Sequence, residues 1–253
     1  AHFVEHMAFN GSKHFPKQEG IAFLQSTGMH FGAHINANTS FDQTVYELHI
    51  PTDSPAIIDR SLIMLEDWAH AVSFEPAEID MERGVILEEW RTGLGAGARI
   101  LDAQLPVLLK DSRYADRLPI GTPDILRTFS HDRLKKFYTD WYRPDLMAVI
   151  VVGDFDPAVI EKIVKSRFGS IPAAVSPRPR PVYDVPDQPG TRYTIATDPE
   201  ATGTTVGVST TMAARDQTKL GAYRQQMIER IFSGLFFEWY ADNGDLQQFG
   251  CDA

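Results

Sequence analysis

The chain has 253 residues, which is enough for one large domain or for one complete domain and part of another. Its 43% hydrophobic and 23% charged residues are ordinary for a globular protein, and no apolar run approaches the roughly 20 residues that cross a bilayer. A formal net charge of −10 disfavours a nucleic-acid-binding surface, and the single cysteine excludes both a disulfide framework and a cysteine-rich zinc site.

The first predicted element is a helix over 2–9, in which His2, Glu5 and His6 form an H-x-x-E-H pattern. Residues four positions apart lie on one face of a helix, so both imidazoles can bind one ion while Glu5 lies beside it. Zinc hydrolases use histidines to hold the metal and a nearby carboxylate to take a proton from water. This order is the inverzincin signature. Because chance produces the pattern in roughly one chain in a hundred of this composition, it needs a third ligand for support.

Periodicity and propensity predict further elements along the chain. A strand is expected over 44–50 and another over 148–152. These elements together predict an α+β fold. Further helices are predicted over 18–27, 55–72, 76–92, 131–141 and 156–167.

The helix over 76–92 is the expected source of the third ligand. Glu82 and Glu89 are seven positions apart and therefore share one face, so one can bind the metal while the other orients a ligand. Glu88 is expected to point away from that face. A solvated acidic surface is the alternative interpretation of each glutamate.

Glycine and proline mark two breaks in the pattern. Gly93, Gly95 and Gly97 are expected to loosen the end of the glutamate-rich helix; they do not fit a phosphate-binding loop, because no strand precedes them and no lysine follows. Six prolines between Ile171 and Gly190 predict an extended connector. Beyond the connector, strands are predicted over 193–197 and 204–211, and a long helix over about 215–241.

Several segments, taken in order, closely resemble the insulinase or pitrilysin family of zinc peptidases. The likeness covers about 1–172 and is strongest to bacterial periplasmic members. The segments are HFVEHMAFNG (2–11), NANTSFDQTVY (36–46), ERGVILEE (82–89), LPIGT (118–122), FYTDWYRPD (137–145) and VVGD (151–154).

The resemblance implies a role for each motif residue. His2, His6 and Glu89 would be the zinc ligands, with one Zn²⁺ for each active domain. Glu5 would be the general base, and Glu82 would support the site without binding the metal.

The resemblance also implies how substrate is bound. Family members add the peptide as a strand to a sheet edge, and Asn36, Ala37 and Asn38 match that edge. Main-chain pairing of this kind tolerates many peptide sequences.

The same resemblance implies that the helices pack on a mostly antiparallel sheet, and it also implies the domain organisation. A zinc peptidase domain lacking its first strands is expected over 1–172, a proline-rich linker over 173–190, and the beginning of a second, homologous α/β domain over 191–253. A homologous C-terminal half would be absent from this chain.

The expected function is that of a zinc metalloendopeptidase acting on peptides or unfolded polypeptides, exported or periplasmic in a bacterium. A non-catalytic subunit of the same fold, which binds a peptide or a partner, is the alternative. A third hypothesis is a zinc hydrolase that acts on substrates other than peptides. No nucleic-acid partner and no membrane span are expected.

Overall fold

The computed structural model describes residues 1–209, 211–212, 215–216 and 218–242. They divide into two compact units. The first contains Ala1–Pro186 and Thr191–Ala196, and the second contains Asp187–Gly190 and the described residues from Thr197 onwards. All the predicted site residues belong to the first unit.

The first unit is mainly helical, and several of its helices begin at a proline. Proline suits the first turn of a helix, because a backbone N–H at that position would have no partner within the helix. Four helices begin in this way, at Pro55, Pro76, Pro123 and Pro157. The helices are α1 (His2–Phe9), α2 (Glu19–Ser26), α3 (Pro55–His70), α4 (Pro76–Gly93), α5 (Ala96–Leu108), α6 (Pro123–Thr128), α7 (His131–Trp141) and α8 (Pro157–Phe168), with 3₁₀ turns at Arg113–Asp116 and Pro144–Leu146. In the second unit, α9 spans Leu220–Asp242.

A β-hairpin lies against the first helix. Strand β1 (Ile35–Thr39) pairs antiparallel with β2 (Thr44–Leu48), in a register that places Ile35 opposite Leu48 and Thr39 opposite Thr44. The backbone N–H of Ser40 donates to the carbonyl of Gln43 over 2.8 Å and closes the turn. Because side chains alternate along a strand, Ile35, Ala37 and Thr39 share one face, and the fully buried Ile35 fixes that face towards the core.

The apolar core joins α1 to α4. Val4 of α1 and Ile79 and Ile86 of α4 are all 0% exposed and belong to one buried cluster with Met7. Each such side chain contributes about 1.5–3 kcal/mol on burial. Phe3 adds an edge-to-face contact with Phe129, with ring centroids 4.8 Å apart. The orientation of α1 relative to α4 is therefore set by packing.

A buried carboxylate attaches the segment after α1 to α3. Asp67 is 1% exposed and accepts hydrogen bonds from the Ser12 hydroxyl at 2.6 Å and from the His14 backbone N–H at 2.8 Å. Its other oxygen lies 2.8 Å from His14 Nδ1. These bonds satisfy the desolvated carboxylate and hold the C-terminal end of the motif helix in place.

The predicted α+β class is confirmed, since helices pack against an antiparallel hairpin. All six helices predicted before the connector are present, with ends that differ by a few residues. The predicted helix over 215–241 begins only at Leu220, and residues 215 and 216 are not helical. α5 was not predicted, although the glycines do interrupt the chain between α4 and α5.

Three predicted strands are wrong, and a fourth is shorter than predicted. The strand expected over 44–50 ends at Leu48. Residues 148–152 form no strand, and Ile150 and Val152 are 83% and 91% exposed. Residues 193–197 and 204–209 also form no strand. Residue 210, which belongs to the strand predicted over 204–211, lies outside the described residues. β-branched residues favour a strand only where a neighbouring strand can pair with them, and these segments have none within the described residues.

Among the described residues, no helix combines the length and the apolar character that a membrane crossing requires. The division into 1–172, 173–190 and 191–253 stays a prediction.

We predict that Asp67→Ala lowers the free energy of unfolding by about 2–3 kcal/mol, because the buried Ser12 hydroxyl and the backbone N–H of His14 lose their acceptor. Urea unfolding followed by circular dichroism measures this. Asp102→Ala, at an exposed position of α5, is the matched control and should change stability by less than about 0.5 kcal/mol. Equal effects of the two substitutions would contradict the role given to Asp67.

Candidate metal centre

The histidines of the motif lie together on α1. Buried Phe3, Val4, Met7 and Ala8 anchor the helix in the core. The His2 and His6 rings meet edge to face, with centroids 4.6 Å apart. Their side chains are 13% and 21% exposed, so they are shielded but reachable from solvent.

Helix α4 brings a carboxylate to both imidazoles. Glu89 Oε1 lies 3.5 Å from His2 Nε2, and Glu89 Oε2 lies 3.3 Å from His6 Nε2. One ligand atom from each of the three residues falls within 4.8 Å of the others. Ligands of a tetrahedral zinc, each about 2.0–2.1 Å from the ion, are about 3.3–3.4 Å apart. The two distances from Glu89 to the imidazoles match this spacing, which suits one shared ion.

The hydrogen bonding of His6 shows why a cation fits here. Its Nδ1 lies 2.6 Å from Glu82 Oε1, and a carboxylate only accepts, so Nδ1 is the donor and the neutral ring has its lone pair on Nε2. That lone pair faces Glu89 Oε2. Two acceptors face each other favourably only with a cation or a proton between them. The residues present thus fit a zinc ion.

The two histidines differ in their affinity for protons. Burial lowers the pKa of His2, and this outweighs the opposing charge of Glu89. Burial also acts to lower the pKa of His6, but the hydrogen bond and charge of Glu82, with further help from Glu89, raise it overall. His2 therefore favours the neutral form that binds metals, whereas His6 would release a bound proton on binding a metal ion.

Glu82 is held on both of its oxygens. One is bonded to His6, and the other accepts the Asn10 side-chain N–H at 2.6 Å. Asn10 in turn accepts a hydrogen bond from Gln18 at 3.0 Å. This series of hydrogen bonds, from Gln18 just before α2 to His6, fixes the imidazole plane. Residues around a metal site orient its histidine ligands in the same way.

Glu5 is buried beside the histidines, on the same helix. It is 7% exposed, and the Thr39 hydroxyl donates to its Oε2 at 2.5 Å. Asn36, Ala37 and Asn38 lie on β1, the strand that contains Thr39. Within the described residues, β1 pairs along its length with β2, and its first residue, Ile35, also forms a single parallel bridge with Phe31.

The structure thus brings His2, His6 and Glu89 together, and it places Glu5 and Glu82 against them. Glu88 points elsewhere: it is exposed and pairs with Arg91 at 2.6 Å. These placements accord with the predicted roles, which remain predictions.

Three residues that support the site, Asn10, Thr39 and Arg83, were not predicted from the sequence. Asn10 lies four positions after His6, a spacing that places it on the same helix face. Thr39 lies two positions after Ala37 and so shares its strand face. Arg83 donates to the carbonyls of Leu126 and Phe129 over 2.6 and 2.7 Å, tying α4 to α6. The first two had a signal in their spacing, whereas Arg83 had none.

Two family descriptions match the chain in order. Residues 1–93 match "Insulinase (Peptidase family M16)", and residues 128–244 match "Peptidase M16 inactive domain". The chain belongs to the M16 peptidase family. The resemblance seen in the sequence motifs is thereby confirmed, and all the candidate site residues fall within the first M16 match.

Similar proteins agree with this family. "Zinc protease PQQL-like" of Arabidopsis thaliana is 33% identical over 233 residues, which are 92% of this M16 chain and 24% of that protein. "Probable zinc protease PqqL" of Escherichia coli K12 is 39% identical over 200 residues, or 79% of this chain and 21% of that protein.

A solved structure shows the same fold. The crystal structure of the first half of the periplasmic protease PqqL from Escherichia coli superposes with a TM-score of 0.69 at 40% identity, covering 74% of this chain and 40% of that one. This M16 chain spans between a fifth and a quarter of the length of the two curated relatives. Zinc and protease function are therefore supported at the level of the family.

We predict that Glu82→Gln weakens zinc binding about 10- to 100-fold, because the amide no longer fixes His6 as a charged acceptor does. Competition with a chromophoric zinc chelator measures the affinity. Glu88→Gln, on the same helix but turned away, should bind zinc as the unmodified protein does. Unchanged affinity in Glu82→Gln would contradict the orienting role.

Proposed function

We propose that the intact protein containing this chain is a zinc metalloendopeptidase. His2, His6 and Glu89 would hold the ion, and Glu5 would act as the general base. The observation that supports this most directly is the convergence of three ligand atoms from α1 and α4 within 4.8 Å, with the buried Glu5 on the same helix.

A zinc ion held by this set would polarise the scissile carbonyl and would lower the pKa of a bound water to about 7. Glu5 then accepts a proton on its carboxylate and passes it to the departing amine. Its burial among apolar side chains of α1 limits competing solvent at that carboxylate. Glu82 takes no part in proton transfer in this scheme, since both of its oxygens are engaged.

The substrate is proposed to be a peptide or unfolded polypeptide in extended form. It would pair with β1 along Asn36, Ala37 and Asn38, on the side of the strand that does not pair with β2. Ladder hydrogen bonds supply affinity without demanding a particular sequence. A broad specificity follows from this mode of binding.

Two further parts of the proposal concern the intact protein. A homologous C-terminal half would help to enclose the peptide over the metal centre. The location would be the periplasm or another exported compartment of a bacterium, on the ground that the similar Escherichia coli protease is described as periplasmic.

The proposal predicts that Glu5→Gln retains one zinc per active domain but loses about 10²- to 10⁴-fold in turnover of a quenched fluorescent peptide, because proton transfer is removed. Metal content by atomic absorption and peptide cleavage with and without a chelator measure both quantities. Glu19→Gln, exposed on α2, should keep full activity.

Full turnover in Glu5→Gln would contradict the assigned base. An unmodified protein that binds zinc and peptide but does not cleave would instead indicate the alternative, a non-catalytic binding subunit. Cleavage of small esters or amides alone would indicate a different hydrolase.

A further inference from the structure

The side chain of Thr39 connects the β-hairpin to Glu5. The Thr39 hydroxyl donates to Glu5 Oε2 at 2.5 Å, joining residues that are 34 positions apart in sequence and lie on different elements. This distance is in the range of a hydrogen bond from a hydroxyl to a charged carboxylate. Such bonds are about twice as strong as those between neutral groups, so this contact can hold the carboxylate in one orientation.

The strand geometry explains why Thr39 points at Glu5. Ile35 is fully buried on the core-facing side of β1, and the two-residue alternation places Thr39 on the same side. Burial of Ile35 therefore fixes which face of β1 points to the core and where the Thr39 hydroxyl lies along the strand. A slip of one residue would turn the hydroxyl away from α1.

The hairpin also sets the direction of the hydrogen bond. Thr39 and Thr44 are cross-strand partners, and their hydroxyl oxygens are 3.1 Å apart. A hydroxyl has one proton to donate and two lone pairs to accept with. Because Glu5 can only accept while ionised, the Thr39 proton goes to Glu5, and Thr39 can accept from Thr44.

This bond leaves the carboxylate with two unequal oxygens. Thr39 engages one of the two lone pairs of Oε2, so Oε1 is the more available oxygen to take a proton. A glutamate side chain has three rotatable bonds and would otherwise sample several rotamers beside the histidines. Reducing that freedom before substrate arrives favours a transition state that requires one orientation.

We propose that Thr39 is a positioning residue that holds Glu5 in its proton-accepting orientation and links the peptide-binding strand β1 to the base. This rests on the proposed function, since it assumes that Glu5 is the base. A purely structural role, in which Thr39 only closes the hairpin with Thr44, is the competing account.

Kinetics of the zinc-loaded intact protein separate the two accounts. Thr39→Val keeps the shape and the strand preference but removes the hydroxyl, and its kcat should fall about 10- to 100-fold with KM and zinc content unchanged. Thr39→Ser restores the hydroxyl and should recover most of the activity. Thr44→Val removes the cross-strand contact but leaves the Thr39 hydroxyl on Glu5, and should lose less than Thr39→Val; equal losses would overturn the proposal.

A double substitution tests whether Thr39 acts through Glu5. In a Glu5→Gln background, Thr39→Val should cause no further loss of residual turnover, because residues that act as a unit are not additive. A further loss as large as that of the single substitution would overturn the proposal. Thermal unfolding verifies that each variant is folded, and Thr39→Ala replaces any Thr39→Val protein that is not.

Crystal structures of the unmodified protein and Thr39→Val give a readout that does not depend on catalysis. A displaced Glu5 carboxylate in the variant supports the proposal, and an unchanged one overturns it. If the unmodified protein fails to cleave peptides, the proposed function fails, while these two structures still decide whether Thr39 positions Glu5.

Discussion

Val4 and Met7 of α1 pack in the same buried cluster as Ile79 and Ile86 of α4, and this apolar contact joins two distant parts of the sequence. One part supplies two imidazoles and a buried carboxylate. The other supplies the carboxylate that faces both imidazoles. Neither helix alone presents three ligands, so the candidate metal centre exists only because the two helices are packed in a fixed orientation.

That packing creates an electrostatic requirement that the surrounding residues meet in different ways. Three carboxylates, those of Glu5, Glu82 and Glu89, lie around two histidines. Asn10 and Thr39 donate hydrogen bonds to two of these carboxylates, which offsets part of the cost of removing the charge from water. A divalent cation between Glu89 and the imidazoles would neutralise the remaining excess of negative charge.

The local parts of this arrangement were predictable from the sequence. Spacing alone placed the two histidines on one helix face and Glu82 and Glu89 on another, because helical periodicity is a local property. The family resemblance supplied the pairing of the two helices. The spacing of Thr39 after Ala37 indicated its strand face but not its partner, because its bond to Glu5, like the bonds of Arg83 to two carbonyls, depends on tertiary contacts. The strands predicted over 148–152, 193–197 and 204–211 failed for a related reason: a strand is stable only with a partner, which propensity does not reveal.

The central claim is that His2, His6 and Glu89 share one zinc ion, and anomalous diffraction from crystals of the zinc-loaded intact protein tests it most directly. Data collected on either side of the zinc absorption edge should show one peak, within bonding distance of both Nε2 atoms and a Glu89 oxygen. A peak bound by other residues, or ordered side chains of these three residues with no peak between them, would contradict the account.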